Sequence, residues 1–119
     1  MFECLIGKKL IEPSFLTGDK DILVFKTENS VITAEAMGDC CSHSWVEHFD
    51  SIPMGETIKS VVEKEAWDLE HDMHERLQQY FYEIITDKGS YSVEMRNSSN
   101  GYYGGYFNIR EESTDRCAL

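Results

Sequence analysis

At 119 residues the chain has room for one hydrophobic core and not for two comfortable ones. Acids outnumber bases 22 to 11, for a net charge of −11 and an isoelectric point near 4.6, a balance that disfavours direct binding to nucleic-acid phosphates or anionic membrane surfaces. No apolar run of about 18 residues is present to cross a membrane as a helix, and Glu3, Lys8 and Lys9 interrupt the N-terminus before it can read as a secretion signal, so a reducing, cytoplasmic setting is expected.

In chain order, Cys4 to Ile11 reads as a first strand closed by Pro13, and Thr17-Gly18-Asp19-Lys20 as a turn. Ile22 to Thr27 and Val31 to Ala36 are rich in β-formers and flank Glu28-Asn29-Ser30, which predicts a hairpin. In Cys40 to Phe49 the apolar residues Trp45, Val46 and Phe49 fall at helical spacings, and Ser42 or Ser44 offers a cap, so a short helix is expected. Thr57 to Val62 reads as a strand. The charged stretch Glu63 to Gln79 sets Leu69, Met73 and Leu77 four apart and predicts a second short helix. Tyr80 to Thr86 and Tyr91 to Met95 form a second hairpin across Asp87-Lys88-Gly89-Ser90. Asn97 to Gly105 reads as a polar loop, Tyr106 to Ile109 as a last strand, and the tail beyond Glu111 as frayed.

The two hairpin regions align with each other. Gly7-Lys8-Lys9-Leu10-Ile11 matches Gly55-Glu56-Thr57-Ile58-Lys59, and Phe25 to Ser30 matches Ile84 to Ser90. A tandem duplication of residues 5–50 in 55–109 is the expected organisation of a single domain. The predicted class is α+β, mainly antiparallel β: two related strand-plus-hairpin units forming one sheet or a small sandwich, with one or two short helices.

Chemistry concentrates in Asp39 to His48. Cys40, Cys41, His43 and His48 are zinc-ligand types, but adjacent cysteines on an extended chain point to opposite faces, and zinc sites usually separate them. A thiolate paired with His43 would be a nucleophile only if a helix start or a cation lowered its pKa. A buried structural turn is the simpler reading of the same residues. No cofactor is expected beyond this zinc alternative. His71 and His74, three apart, would share a helical face or lie on a solvated charged one. Arg96 to Tyr106 mixes glycines with tyrosines, as recognition loops and tight turns both do.

The segments Gly38-Asp39-Cys40-Cys41-Ser42-His43-Ser44-Trp45 and Arg96-Asn97-Ser98-Ser99-Asn100-Gly101-Tyr102-Tyr103-Gly104-Gly105 resemble those of an uncharacterised small-domain family of bacteriophages and their hosts, over about Leu5 to Ile109. The resemblance implies a phage or prophage protein acting inside an infected bacterium, and no activity comes with it.

Three functions remain open on these residues. The first is a non-enzymatic protein that binds and modulates a host bacterial protein or protein–nucleic-acid complex, such as an anti-CRISPR-like or anti-restriction factor facing a basic groove. Trp45, Asn97, Asn100, Tyr102 and Tyr103 would be its anchors, and Glu63, Glu65, Asp68, Glu70, Asp72 and Glu75 its acidic surface. The second is a metal-binding or thiol-dependent protein centred on the Cys-Cys-Ser-His segment. The third is a virion structural or assembly role.

Overall fold

The computed structural model describes residues 2–38, 42–64, 67–71, 76–99 and 104–114, with 67–71 and 76 described by backbone alone. Among the described residues nine strands follow one 3-10 turn, Glu3–Leu5: β1 (Phe15–Leu16), β2 (Ile22–Lys26), β3 (Ser30–Gly38), β4 (His43–Phe49), β5 (Ile58–Glu63), β6 (Trp67–His71), β7 (Arg76–Thr86), β8 (Ser90–Ser99) and β9 (Gly105–Ser113). They form two antiparallel sheets. One has the order β1-β2-β3-β9; the other runs β4-β8-β7-β5, with β6 also paired to β7. Leu23, Phe25, Ile32, Ala34 and Phe107 from the first sheet meet Val46, Ile58, Tyr82, Ile84, Val93 and Met95 from the second in one buried core.

The α+β expectation is therefore corrected to an almost all-β fold, with no α-helix among the described residues. Of the helix expected over Cys40 to Phe49, Cys40 and Cys41 lie outside the described residues, and residues His43 to Phe49 form β4. Its register against β8 shifts between Val46 and His48, so Val46 and Phe49, three apart, both face the core opposite Met95 and Val93. A bulge thus imitates a helical spacing. The helix expected over Glu63 to Gln79 is also absent among the described residues. β5 pairs with β7 through Ile58–Thr86 to Glu63–Tyr82, Lys64 N–H donates to Phe81 O at 2.7 Å, and β6 pairs with the start of β7. Leu69 and Leu77 stand on opposite arms of this long ribbon, so their spacing was not that of a helix face. Pairing to β8 along the whole of β7 overrides the local propensity. The expected strand at Cys4 to Ile11 reduces to the 3-10 turn and isolated bridges at Lys9 and Leu10, while β8 runs to Ser99 and β9 to Ser113, past the expected ends.

Each half of the chain lays down a set of antiparallel strands, β1 to β3 in the first and β5 to β8 in the second, and sends its last strand into the other sheet. β1-β2-β3 receives β9, and β5-β7-β8 receives β4. The contacts between halves are reciprocal. Gly7 N–H donates to Ile58 O at 2.8 Å while Gly55 N–H donates to Leu10 O at 2.7 Å. Ile58 N–H donates to Lys8 O at 2.8 Å while Leu10 N–H donates to Glu56 O at 3.0 Å. Gly7 and Gly55 both take positive φ, +84° and +91°, which a side chain would resist. The two hairpin turns are also alike: Thr27 N–H donates to Ser30 O, and Thr86 N–H to Gly89 O, each close to 2.9 Å.

Two features join the sheets. Phe2, Tyr82 and Phe107 form a three-way edge-to-face aromatic cluster with centroids 5.4–5.6 Å apart. At the crossing of the exchanged strands, Gly38 pairs with Gly105 and Ser44 with Asn97. Ser44 Oγ donates to Met37 O at 2.8 Å, and Asn97 Nδ2 donates to Ser44 Oγ at 2.8 Å. A Cβ on Gly105 would lie 2.6 Å from Ser44 Oγ and 3.0 Å from Asn97 Cβ. The backbones approach closely here because both glycines lack a side chain.

Three outcomes follow from this packing. Gly105→Ala should destabilise the fold by about 1–3 kcal/mol through overpacking, measured by urea unfolding. Cleavage of a protease site inserted after Met54, which is 63% exposed between the halves, should leave both fragments co-eluting in native gel filtration; their separation would contradict the strand exchange. Burial, with Glu63 and Tyr80 adding to it, pushes the Tyr82 phenol well above its ordinary value. Its contribution to stability is whole below the unfolded pKa of about 10 and is lost as pH rises toward the folded one. Tyr82→Phe should therefore flatten the fall in urea midpoint above about pH 10.

Candidate functional site

β4 is an edge strand, and its alternation divides the residues singled out from the sequence between two faces. Ser44, Val46 and Phe49 turn inward, whereas His43, Trp45 and His48 take the outward register positions opposite Ser98, Arg96 and Glu94. The same outward parity on β7 and β8 presents Gln79, Phe81 and Glu83 beside Arg96, Glu94 and Ser92. The outer face of the five-stranded sheet thus carries a cross-strand row of His48, Glu94, Phe81 and Lys64, with Trp45, Arg96 and Gln79 in the next.

Trp45 is half-buried on this face. Its ring stacks on His43, with centroids 5.4 Å apart and planes 25° from parallel, and its Nε1 donates to Glu47 Oε1 at 3.0 Å. Arg96 Nε donates to Glu94 Oε2 at 2.6 Å, and Gln79 Nε2 donates to the same oxygen at 2.8 Å. Lys64 pairs with Glu83 at 2.6 Å and holds that carboxyl below its usual range, chiefly through this hydrogen bond. His48 Nε2 lies 2.8 Å from Asp50 Oδ1, and Asp50 Oδ2 accepts from Ser92 N–H at 3.0 Å. Between these groups His48, Lys64, Phe81, Glu83, Ser92 and Glu94 line an open groove of about 580 Å³. Val62, 42% exposed, stands in register beside Glu83.

Of the expected anchors, only Trp45 is shown on this surface. Asn97 is 0% exposed and belongs to the junction between sheets, where its Oδ1 has no hydrogen-bond partner among the described residues. Asn100, Tyr102, Tyr103, Cys40 and Cys41 lie outside the described residues, as do Glu65, Asp72 and Glu75 of the acidic segment. Glu63 is exposed at the end of β5, and Asp68 and Glu70 fall on β6, opposite Gln78 and Leu77 in register. The structure does bring the two motif segments together. Arg76 pairs with Ser99, Leu77 and His43 both pair with Ser98, and Gly38 pairs with Gly105. The strand ends that bracket residues 39–41, 72–75 and 100–103 therefore share one end of the sandwich.

For the metal alternative, His43 and His48 share the outer face of β4, and no cluster of three or more His, Cys, Asp or Glu side chains able to hold an ion is present among the described residues. Cys4 is a free thiol whose pKa is raised, chiefly by burial, opposite to what nucleophilic use requires. Sequence reasoning missed the groove residues Lys64, Phe81, Glu83 and Glu94. It also missed Glu56, a buried carboxylate that accepts from Thr86 Oγ1 at 2.5 Å and from the Tyr91 hydroxyl at 2.7 Å. Glu56 ties the second hairpin turn to the start of β5 and raises the Tyr91 pKa through that hydrogen bond.

No described helix is long and apolar enough to cross a membrane. The chain is 33% identical over 90 residues, 67% of either protein, to the uncharacterized protein L278 of Acanthamoeba polyphaga mimivirus, so one relative is viral but not from a phage. No solved structure matches it. The family model for a domain of unknown function, DUF7448, matches residues 3–109, nearly the stretch over which the two motifs drew a resemblance. The chain belongs to the DUF7448 family, a domain of unknown function.

Proposed function

We propose that this chain is a non-enzymatic, protein-binding module of viral origin, a bacteriophage protein by the resemblance of its two motifs. It works in the bacterial cytoplasm by binding and modulating a host protein, with anti-CRISPR-like or anti-restriction action on a complex that has a basic nucleic-acid groove. One observation carries the reading: the strand ends delivering both motif segments meet at one end of the five-stranded sheet, beside Trp45 and Arg96. A half-buried tryptophan on a rigid edge strand has the character of an interface anchor. The excess of 11 acids over bases (22 − 11) supplies long-range steering toward a basic partner. The reciprocal strand order supports, as part of the same proposal, an internal duplication of 5–50 in 55–109, which relates the two motif-bearing connections to each other.

The test is affinity capture of a host complex by the full chain at low salt, followed by measurement of its Kd. Trp45→Ala should weaken binding by about 2 kcal/mol, roughly thirtyfold, and Phe15→Ala on the other sheet should leave it unchanged. Capture of no bacterial protein at low salt, or equal loss in both variants, would overturn the reading.

A further inference from the structure

We infer that the groove on the outer face of the five-stranded sheet is the contact surface for an arginine-bearing segment of the partner, a guanidinium lying over Phe81 between Glu83 and Glu94. This rests on the protein-binding reading above and names the chemistry that the bound surface recognises.

Phe81 lies at the centre of the face, with Glu94 opposite it on β8 and Lys64 beside it on the other edge. Phe81, with the outward parity on β7, lines an open groove of about 580 Å³, volume enough for more than one long side chain. An aromatic ring flanked by carboxylates suits a planar cation, which stacks on the ring while its fork pairs with oxygen. The carboxylates Glu47, Asp50, Glu83 and Glu94 outnumber the cations Lys64 and Arg96 on and around the groove. Both hydrogen bonds that Glu94 accepts among the described residues fall on Oε2, which leaves Oε1 to receive another donor. The resident cations also set the geometry in advance: Arg96 fixes the Glu94 carboxylate and Lys64 fixes Glu83, so little side-chain ordering is left to binding. Val62, 42% exposed, adds apolar surface for the alkyl stem.

The experiment titrates the full chain with capped tri-arginine and, separately, capped tri-lysine, followed by amide chemical shifts. Perturbations should concentrate at 62–64, 79–83 and 92–96, with tri-arginine binding the tighter of the two. Phe81→Leu, which keeps an apolar side chain, should weaken tri-arginine about threefold and abolish its advantage over tri-lysine. Glu94→Gln should weaken both peptides, whereas Glu35→Gln on the opposite sheet should weaken neither. Shifts spread over all acidic surfaces, an unchanged tri-arginine Kd in Phe81→Leu, or tighter binding of oligothymidine at the same residues would overturn the inference. If these peptides fail while the host complex is still captured through Trp45, the groove assignment falls and protein binding stands. If peptides bind but no host protein is captured, the protein-binding reading falls instead.

Discussion

The close approach of backbones where β4 and β9 cross between sheets is the constraint on which the rest of the molecule depends. Gly38 and Gly105 face each other with no side chain on either, and Ser44 and Asn97 fill the space they leave. The Asn97–Ser44–Met37 hydrogen-bond chain then joins the two sheets at the point of closest approach. Each sheet is completed by a strand from the other half, so neither half has its own complete core. The Oδ1 of Asn97 has no hydrogen-bond partner among the described residues at this crossing.

That architecture bears directly on the candidate surface. Because β4 is held at its inner face by Ser44, Val46 and Phe49, its outer residues His43, Trp45 and His48 are displayed on a rigid edge rather than on a loop. β7 extends past β5 to pair with β6, and this lengthening carries Gln79 toward the same end. The face that results is aromatic at its centre, charged around it, and populated by pairs whose partners are already fixed.

Much of this was legible in the residues, and the failures have identifiable causes. The hairpins at Thr27–Ser30 and Thr86–Gly89 announce themselves through turn chemistry and flanking β-formers, because both signals are local. β4 was hidden by its bulge, which gives Val46 and Phe49 a three-residue spacing while both face inward. β6 was hidden because Leu69 and Leu77, spaced as on a helix face, match that period by coincidence while standing on different strands; Met73 lies outside the described residues. Asn97, expected as an exposed anchor, is buried because its register partner is Ser44 at the crossing, which depends on strand exchange and not on local sequence. The groove had a signal that went unused. Tyr80-Phe81-Tyr82 in a strand puts the two tyrosines on one face and Phe81 on the other, and Ser92, Glu94 and Arg96 alternate in the same way.

If the exchanged strands make one cooperative unit, opening either sheet must open both. Native-state amide hydrogen exchange under increasing urea measures this most directly. The account predicts that the amides of Ile32, Val46, Val93 and Phe107 merge into a single isotherm with one slope and one free energy. Two separate isotherms, one for β2-β3-β9 and one for β4-β8-β7, would contradict it.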